Sequence, residues 1–202
     1  MAGGAESMKT TVLTGSWLSV VVFSVLAVTF TLPGCSSRLV SSDPPGKSEE
    51  AEVEVAVTRT TDGDTVKISP EVDGEDRVRL IGVDTPETTG RMPEPYGEEA
   101  ARFTRETLEG RDVSLEFDAE REDDYGRLLA YAYLPDSSMF NEALLREGYA
   151  QVATFPPNTR YLERFEEAQE EAREARRGLW GLPEGELCRI RDRGNGIGGG
   201  CE

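Results

Sequence analysis

Three short motifs between residues 62 and 127 contain the side chains best suited to chemistry. They are Asp62-Gly63-Asp64-Thr65, Arg79-x4-Asp84-Thr85-Pro86-Glu87-Thr88 and Asp124-Tyr125-Gly126-Arg127. Their carboxylates and two arginines are groups that bind a hard cation and a phosphate. The chain contains no histidine, so any catalysis must rely on carboxylates, guanidinium groups or hydroxyls, with or without a metal ion.

The acidic residues of the first two motifs suggest a cation site. A sharp turn at Gly63 would direct Asp62 and Asp64 into one cavity, where two carboxylates repel unless a cation or proton lies between them. Asp84 ends a predicted strand, and the Thr85 carbonyl is free because the next residue is proline. Carboxylates, a carbonyl and water suit Ca²⁺. The alternative is that Asp-Gly forms an ordinary turn and Asp84 an ordinary strand-end cap.

The two arginines and one glutamate complete this set. Arg79 lies between apolar neighbours, and a buried guanidinium needs partners such as phosphate oxygens. Arg127 precedes a predicted strand, and for each arginine the alternative is a structural ion pair. Glu87 follows a proline and could orient or deprotonate a cation-bound water. Together these groups suit attack on a phosphodiester.

Composition limits the class of protein. The chain has 202 residues and a formal net charge of −17. An acidic chain is a poor candidate for coating nucleic acid, although one site can still carry a local positive field. About 150 residues follow the N-terminal region, which is enough for one domain with a core.

The N-terminal region has the features of an export signal. An almost uncharged run, Val12–Leu32, follows Lys9 and ends just before Pro-Gly-Cys35. This ending resembles a lipoprotein signal, in which the cysteine receives lipid, and the alternative is a membrane anchor. We assign residues 1–35 to the signal or anchor and 36–50 to a flexible tether. The remainder is then extracytoplasmic, anchored to the membrane or secreted.

Hydrophobic periodicity predicts an α+β domain over residues 51–183. Period-two alternation and turn signals predict five strands, at Val53–Val57, Thr65–Ile68, Arg77–Val83, Val113–Phe117 and Leu128–Leu134. Helical spacing predicts three helices, at Glu98–Glu109, Met139–Glu147 and Asn158–Arg177, the last with Asn158 as its cap. This order of elements favours a small β-barrel packed against helices.

Residues 184–202 are glycine-rich, and we expect an irregular tail. In an oxidising compartment Cys188 and Cys201 would form a disulfide worth ~3 kcal/mol. The alternative is two free thiols.

The motifs, with Asn141-Glu142-Ala143-Leu144 and Gly178-Leu179-Trp180-Gly181, resemble the staphylococcal nuclease family from about Val57 to Gly181. The resemblance implies a five-stranded OB-type barrel with three helices. It also implies Ca²⁺-dependent hydrolysis of DNA and RNA phosphodiesters, which leaves 3′-phosphates.

The same resemblance implies roles by motif position. The calcium ligands would be Asp64, Asp84 and the Thr85 carbonyl, with Asp62 close to the ion. The catalytic residues would be Glu87 as general base or water-orienting group, and Arg79 and Arg127 as phosphate-binding groups, with Arg127 also a candidate proton donor to the leaving oxygen.

Two positions depart from the family pattern. Asp124 stands where the family often has lysine, and residues 153–158 lack the two tyrosines that contact the nucleotide. Phe155 can still stack on a base, and Tyr125 is the second aromatic candidate for substrate contact.

The sequence therefore predicts an exported, membrane-tethered, calcium-dependent nuclease that acts as a monomer on nucleic acid. A non-catalytic OB-type module that binds nucleic acid or protein is the alternative, and a structural surface lipoprotein is a third. The intact set of acids and arginines favours the enzyme.

Overall fold

A closed barrel contains five of the strands. The computed structural model describes residues 52–89 and 93–199. Their strands are β1 (Val53–Asp62), β2 (Thr65–Val72), β3 (Glu75–Leu80), β4 (Gly82–Asp84), β5 (Asp112–Glu122), β6 (Leu128–Tyr133) and β7 (Gln151–Ala153). The barrel closes in the order β1-β2-β3-β6-β5. Strands β3 and β6 are parallel, whereas β1–β2, β1–β5, β2–β3 and β5–β6 are antiparallel pairs.

Apolar residues fill the barrel because the side chains of a strand alternate between its two faces. Val55 and Val57 of β1 are buried, as are Val113, Leu115 and Phe117 of β5. The predicted five-stranded barrel is confirmed.

The predicted strand Arg77–Val83 is wrong as a single strand. Strand β3 ends at Leu80, and β4 begins at Gly82 and pairs with β7 outside the barrel. Gly82 has φ +77°, and a Cβ there would lie 2.4 Å from the Phe165 ring, so both backbone conformation and space require glycine. The break lets β4 leave the barrel and carry Asp84 away from it.

Three predicted helices are confirmed, and a fourth, short helix follows them in the described residues. The helices are α1 (Gly97–Leu108), α2 (Phe140–Arg146), α3 (Leu162–Glu174) and α4 (Glu184–Leu187), with a 3₁₀ turn at Gly178–Gly181. Buried residues recur at helical spacing in α3, as in Phe165, Ala168 and Ala172, so one face packs on the core.

The prediction that Asn158 caps the third helix is wrong. Helix α3 begins at Leu162, and Asn158 is buried four residues earlier. Its side-chain amide instead donates to the Glu120 carbonyl and accepts from the Glu120 N–H, both at 2.8 Å. An asparagine before a helix can bond the N–H groups of the helix or another backbone segment. Here its partner is the backbone of β5.

The tail differs from the irregular segment that the sequence suggests. Beyond α4, Ile190 and Ile197 are buried with Leu179 in a second apolar cluster. Cys188 is disulfide-bonded. Its predicted partner Cys201, the lipidation candidate Cys35 and all assignments within residues 1–50 lie outside the described residues. Within residues 52–89 and 93–199, the helices are too short or too polar to span a bilayer.

Candidate active site

The turn between β1 and β2 places the first two aspartates. Gly63 packs against Thr85 so closely that a Cβ would lie 2.6 Å from the Thr85 hydroxyl oxygen. The Gly63 carbonyl accepts a 2.5 Å hydrogen bond from the Thr104 hydroxyl of α1. The turn is thus held from two sides, with Asp64 buried and Asp62 half-buried.

Asp64 connects the first motif to the second. Its Oδ2 accepts hydrogen bonds from the Thr85 N–H at 3.0 Å and the Thr85 hydroxyl at 3.1 Å. The same oxygen lies 3.0 Å from Arg79 Nη1, and Oδ1 accepts from the Thr65 hydroxyl. Of the residues predicted to share a cation site, Asp64 and Thr85 are therefore in direct contact.

Arg79 bridges the two buried aspartates. Its Nη2 lies 2.9 Å from Asp84 Oδ1, while Nη1 contacts Asp64 and donates to the Val83 carbonyl at 2.9 Å. The arginine side chain is only 13% exposed. Arg79 therefore forms ion pairs, and its partners are the same carboxylates that the cation hypothesis names.

Burial is the main cause of a raised pKa at three carboxyl groups of the site. Burial raises the pKa of Asp62, and the charge of Asp64 raises it further, against hydrogen bonds from Gly63 and Thr88. Burial also raises the pKa of Asp84, despite Arg193 and Arg79. Partial burial raises the pKa of Glu87, and the negative charges of the aspartates add to this shift. A bound cation would relieve such shifts.

The donor set fits Ca²⁺. The Thr85 carbonyl accepts no hydrogen bond from another described residue, and Thr85 is 2% exposed. Together with Asp64 and Asp84 it offers hard oxygen donors. Within the described residues, no three Asp, Glu, Cys or His side chains converge as a metal cluster; the predicted set contains two carboxylates and one carbonyl.

Arg127 is paired with a residue that the motifs did not identify. Its Nε and Nη2 lie 2.7 and 2.6 Å from Asp123 Oδ2, whereas the predicted motif begins at Asp124. Burial opposes ionisation of Asp123, but hydrogen bonds from Arg127 and the Tyr125 N–H lower its pKa. Asp123 accepts hydrogen bonds from the backbone N–H groups of Tyr125 and Arg127. An aspartate at the start of a turn, four residues before Arg127, is the sequence feature that indicates this pair.

One cavity brings the two arginines and the two aromatic candidates together. Its volume is about 370 Å³, and its lining includes Arg79, Arg127, Tyr125 and Phe155. Tyr125 is 76% and Phe155 72% exposed. The predicted cation-site residues and Glu87 do not line this cavity, but Arg79 lines it and also contacts Asp64 and Asp84.

Arg193 is a site residue that sequence reasoning missed. Its Nε lies 2.5 Å from Asp84 Oδ2, although 109 residues separate the two in sequence. Nothing in a glycine-rich tail indicates such a contact.

Comparisons with known proteins identify similar chains. Residues 77–181 match the family described as staphylococcal nuclease homologue. A thermonuclease of Staphylococcus intermedius is 43% identical over 149 residues, 71% of this chain and 87% of the relative. A thermonuclease of Staphylococcus hyicus is 42% identical over 138 residues, 67% and 80% of the two chains. Endonuclease YncB of Bacillus subtilis is 40% identical over 142 residues, 68% and 66%.

Proposed function

The chain belongs to the staphylococcal nuclease family, and we propose that it is a calcium-dependent nuclease that cleaves DNA and RNA and leaves 3′-phosphates. The nuclease activities named for its relatives support this reaction class. The observation that carries the proposal is the position of Arg79, which contacts Asp64 and Asp84 and also lines the cavity that contains Arg127.

The carboxylate cluster is the proposed cation site. Asp64, Asp84 and the Thr85 carbonyl would hold Ca²⁺, and Asp62 would act through a water. When bound, Ca²⁺ would supply positive charge to a phosphate oxygen and to the attacking water. Both aspartate side chains are nearly buried, with 10% and 11% exposed, so little solvent screens their charge.

The arginines would bind the phosphate. A phosphodiester in the cavity can accept hydrogen bonds from both Arg79 and Arg127, whose planar groups match phosphate oxygens. Arg79 would exchange its carboxylate partners for phosphate oxygens once a cation neutralises the aspartates. Donors aimed at developing negative charge stabilise the transition state.

Glu87 would activate or orient the attacking water. It accepts a proton from the water or orients it while the water oxygen bonds to phosphorus and the bond to the 5′ oxygen breaks. A carboxylate can serve either role, because it can accept a hydrogen bond or a proton from water. The 5′ oxygen takes a proton from Arg127 or solvent. All these residues belong to one chain, so a monomer suffices.

The decisive experiment is a cleavage assay. The full-length chain in detergent is incubated with single-stranded DNA or RNA, with Ca²⁺ or with a chelator. We expect cleavage only with Ca²⁺ and 3′-phosphate ends. Binding of nucleic acid without cleavage at any salt concentration would support the non-catalytic OB-type module instead.

We also propose an extracytoplasmic location, with lipid on Cys35 or an N-terminal anchor. The apolar run before Cys35 supports this, as does the disulfide at Cys188, because such bonds are typical of oxidising compartments. Mass spectrometry of the chain from membranes is expected to find lipid on Cys35. An intact N-terminus that extends through Leu32 would instead support the anchor.

A further inference from the structure

The tail supplies a guanidinium group to a candidate metal ligand. Arg193 Nε lies 2.5 Å from Asp84 Oδ2, and their side chains are 21% and 11% exposed. The other carboxylate oxygen, Oδ1, accepts from Arg79 Nη2. Asp84 is therefore held at both oxygens, and its Oδ1 shares the Arg79 guanidinium group with Asp64 Oδ2.

A buried glutamine anchors the backbone beside Arg193. Gln151 is 1% exposed and lies opposite Asp84 in the β4–β7 pair. Its Nε2 donates to the Arg191 carbonyl at 2.9 Å, and its Oε1 accepts from the Arg193 N–H at 3.3 Å. The tail thus runs beside β7, next to the carboxylate that Arg193 contacts.

The residues on either side of Arg193 are also fixed. Ile190 and Ile197 are 5% and 6% exposed and pack with Leu179. Asn195 Nδ2 donates to the Val152 carbonyl at 3.0 Å. Because buried apolar contacts and hydrogen bonds must break before such a segment opens, these contacts hold Arg193 beside Asp84. Arg193 differs in this from Arg79, which must exchange partners to contact a phosphate.

We propose that Arg193 is a positioning residue that holds the Asp84 carboxylate with Oδ1 toward Asp64, ready to bind a cation. This inference rests on the proposed calcium-dependent function. Carboxylates that bind metals are themselves hydrogen-bonded, and losing such a partner typically lowers metal affinity 10–100-fold. Each carboxylate oxygen has lone pairs for more than one partner, so Oδ1 can accept from Arg79 and still bind a cation.

Calorimetric titration with Ca²⁺ tests this role in the full-length chain in detergent. Arg193→Gln is expected to weaken Ca²⁺ binding about tenfold, and Arg193→Lys to recover part of the loss. Arg189→Gln is the charge-matched control, since the Arg189 side chain is exposed in the same tail, and it should bind Ca²⁺ like the wild type. A merely structural role would lower the thermal stability without changing the Ca²⁺ affinity.

Gln151→Ala tests the anchor independently. It is expected to weaken Ca²⁺ binding in the same direction, and the double variant with Arg193→Gln to add little, because both changes disturb one contact. Equal or tighter Ca²⁺ binding by Arg193→Gln would overturn the inference, as would a wild-type chain that binds no Ca²⁺. Cleavage of single-stranded DNA by the wild type tests the nuclease proposal separately: an active nuclease with unchanged Ca²⁺ affinity in Arg193→Gln refutes only the role of Arg193.

Discussion

The carboxylate side of the site consists of Asp62, Asp64, Asp84, Thr85 and Glu87, with Arg79. Its cation-binding candidates Asp64, Asp84 and Thr85 are buried and bonded from several elements, although Glu87 is exposed. The arginine side (Asp123, Tyr125, Arg127 and Phe155) lies on more exposed loops. Contacts from β2, α1 and the tail reach the carboxylate side. Arg127, in contrast, takes its ion pair from within a single turn.

This contrast separates two requirements of the proposed reaction. Cation binding needs fixed oxygen donors, and burial with multiple hydrogen bonds provides them. Substrate binding can rely on exposed side chains on loops, because the sequence of such loops can change without unfolding the barrel. The two departures from the family pattern, at Asp124 and in residues 153–158, both fall on or beside the arginine side.

The largest effect is expected on the carboxylate side, from Arg79→Ala. It removes one shared partner from two nearly buried carboxylates, so without divalent cation the free energy of unfolding should fall by about 3–5 kcal/mol. Cleavage should also be lost. Urea denaturation in chelator measures the first effect, with Arg79→Lys as the control that keeps the charge. A loss below about 1 kcal/mol would show that the aspartates do not depend on Arg79.

On the arginine side, Arg127→Ala should impair catalysis and leave the fold intact. Removing one transition-state donor typically lowers kcat about 10²–10³-fold. The ion pair with Asp123 is partly exposed, so stability should change by less than about 1 kcal/mol. Single-turnover cleavage and urea denaturation check these values, and Ca²⁺ affinity should stay unchanged. Full activity in this variant would remove Arg127 from the mechanism.

A smaller effect is expected from Phe155→Ala. Stacking of a base on an aromatic ring is worth about 1–3 kcal/mol, which should appear as a higher KM for single-stranded DNA with kcat unchanged. Because Phe155 is 72% exposed, the loss should not reach the core. Phe155→Tyr keeps an aromatic face and should retain the wild-type KM. An unchanged KM in Phe155→Ala would show that the ring makes no substrate contact.

The smallest effects should have opposite signs on the two sides. The raised pKa of Asp62 means that its ionisation costs folding stability. In chelator, Asp62→Asn should therefore become more stable relative to the wild type as pH rises above the ordinary Asp pKa of 3.8.

The Asp123 carboxylate has the opposite effect, because its pKa is lowered in the folded protein. Its ionised form stabilises the fold above pH 3.8, and this stability is lost as pH falls through the folded-state pKa. Asp123→Asn should therefore lose stability at neutral pH and match the wild type in strong acid.

Urea denaturation of both variants at several pH values checks these signs. The same pH trend in the two variants would contradict the comparison, because it would mean that the two carboxyl groups have similar environments.

Short sequence patterns predicted the strands of the barrel. Alternation at Val113, Leu115 and Phe117 predicted a strand because burial on one face imposes a two-residue period. The same patterns did not predict the boundaries of elements that depend on tertiary packing. The chain breaks between β3 and β4 beside Gly82, where the Phe165 ring lies in the place of a Cβ, and Asn158 contacts β5 rather than capping α3.

The sequence by itself determined which residue types could do the chemistry, since the motif spacing singled out Asp64, Asp84 and Arg79 before any contact was known. Only the tertiary structure decided which charges meet. Arg127 pairs with Asp123, and Arg193 reaches Asp84 across 109 residues of chain. Local patterns record propensity and periodicity, whereas an ion pair depends on which surfaces the closed barrel and the packed tail bring within a few ångströms of each other.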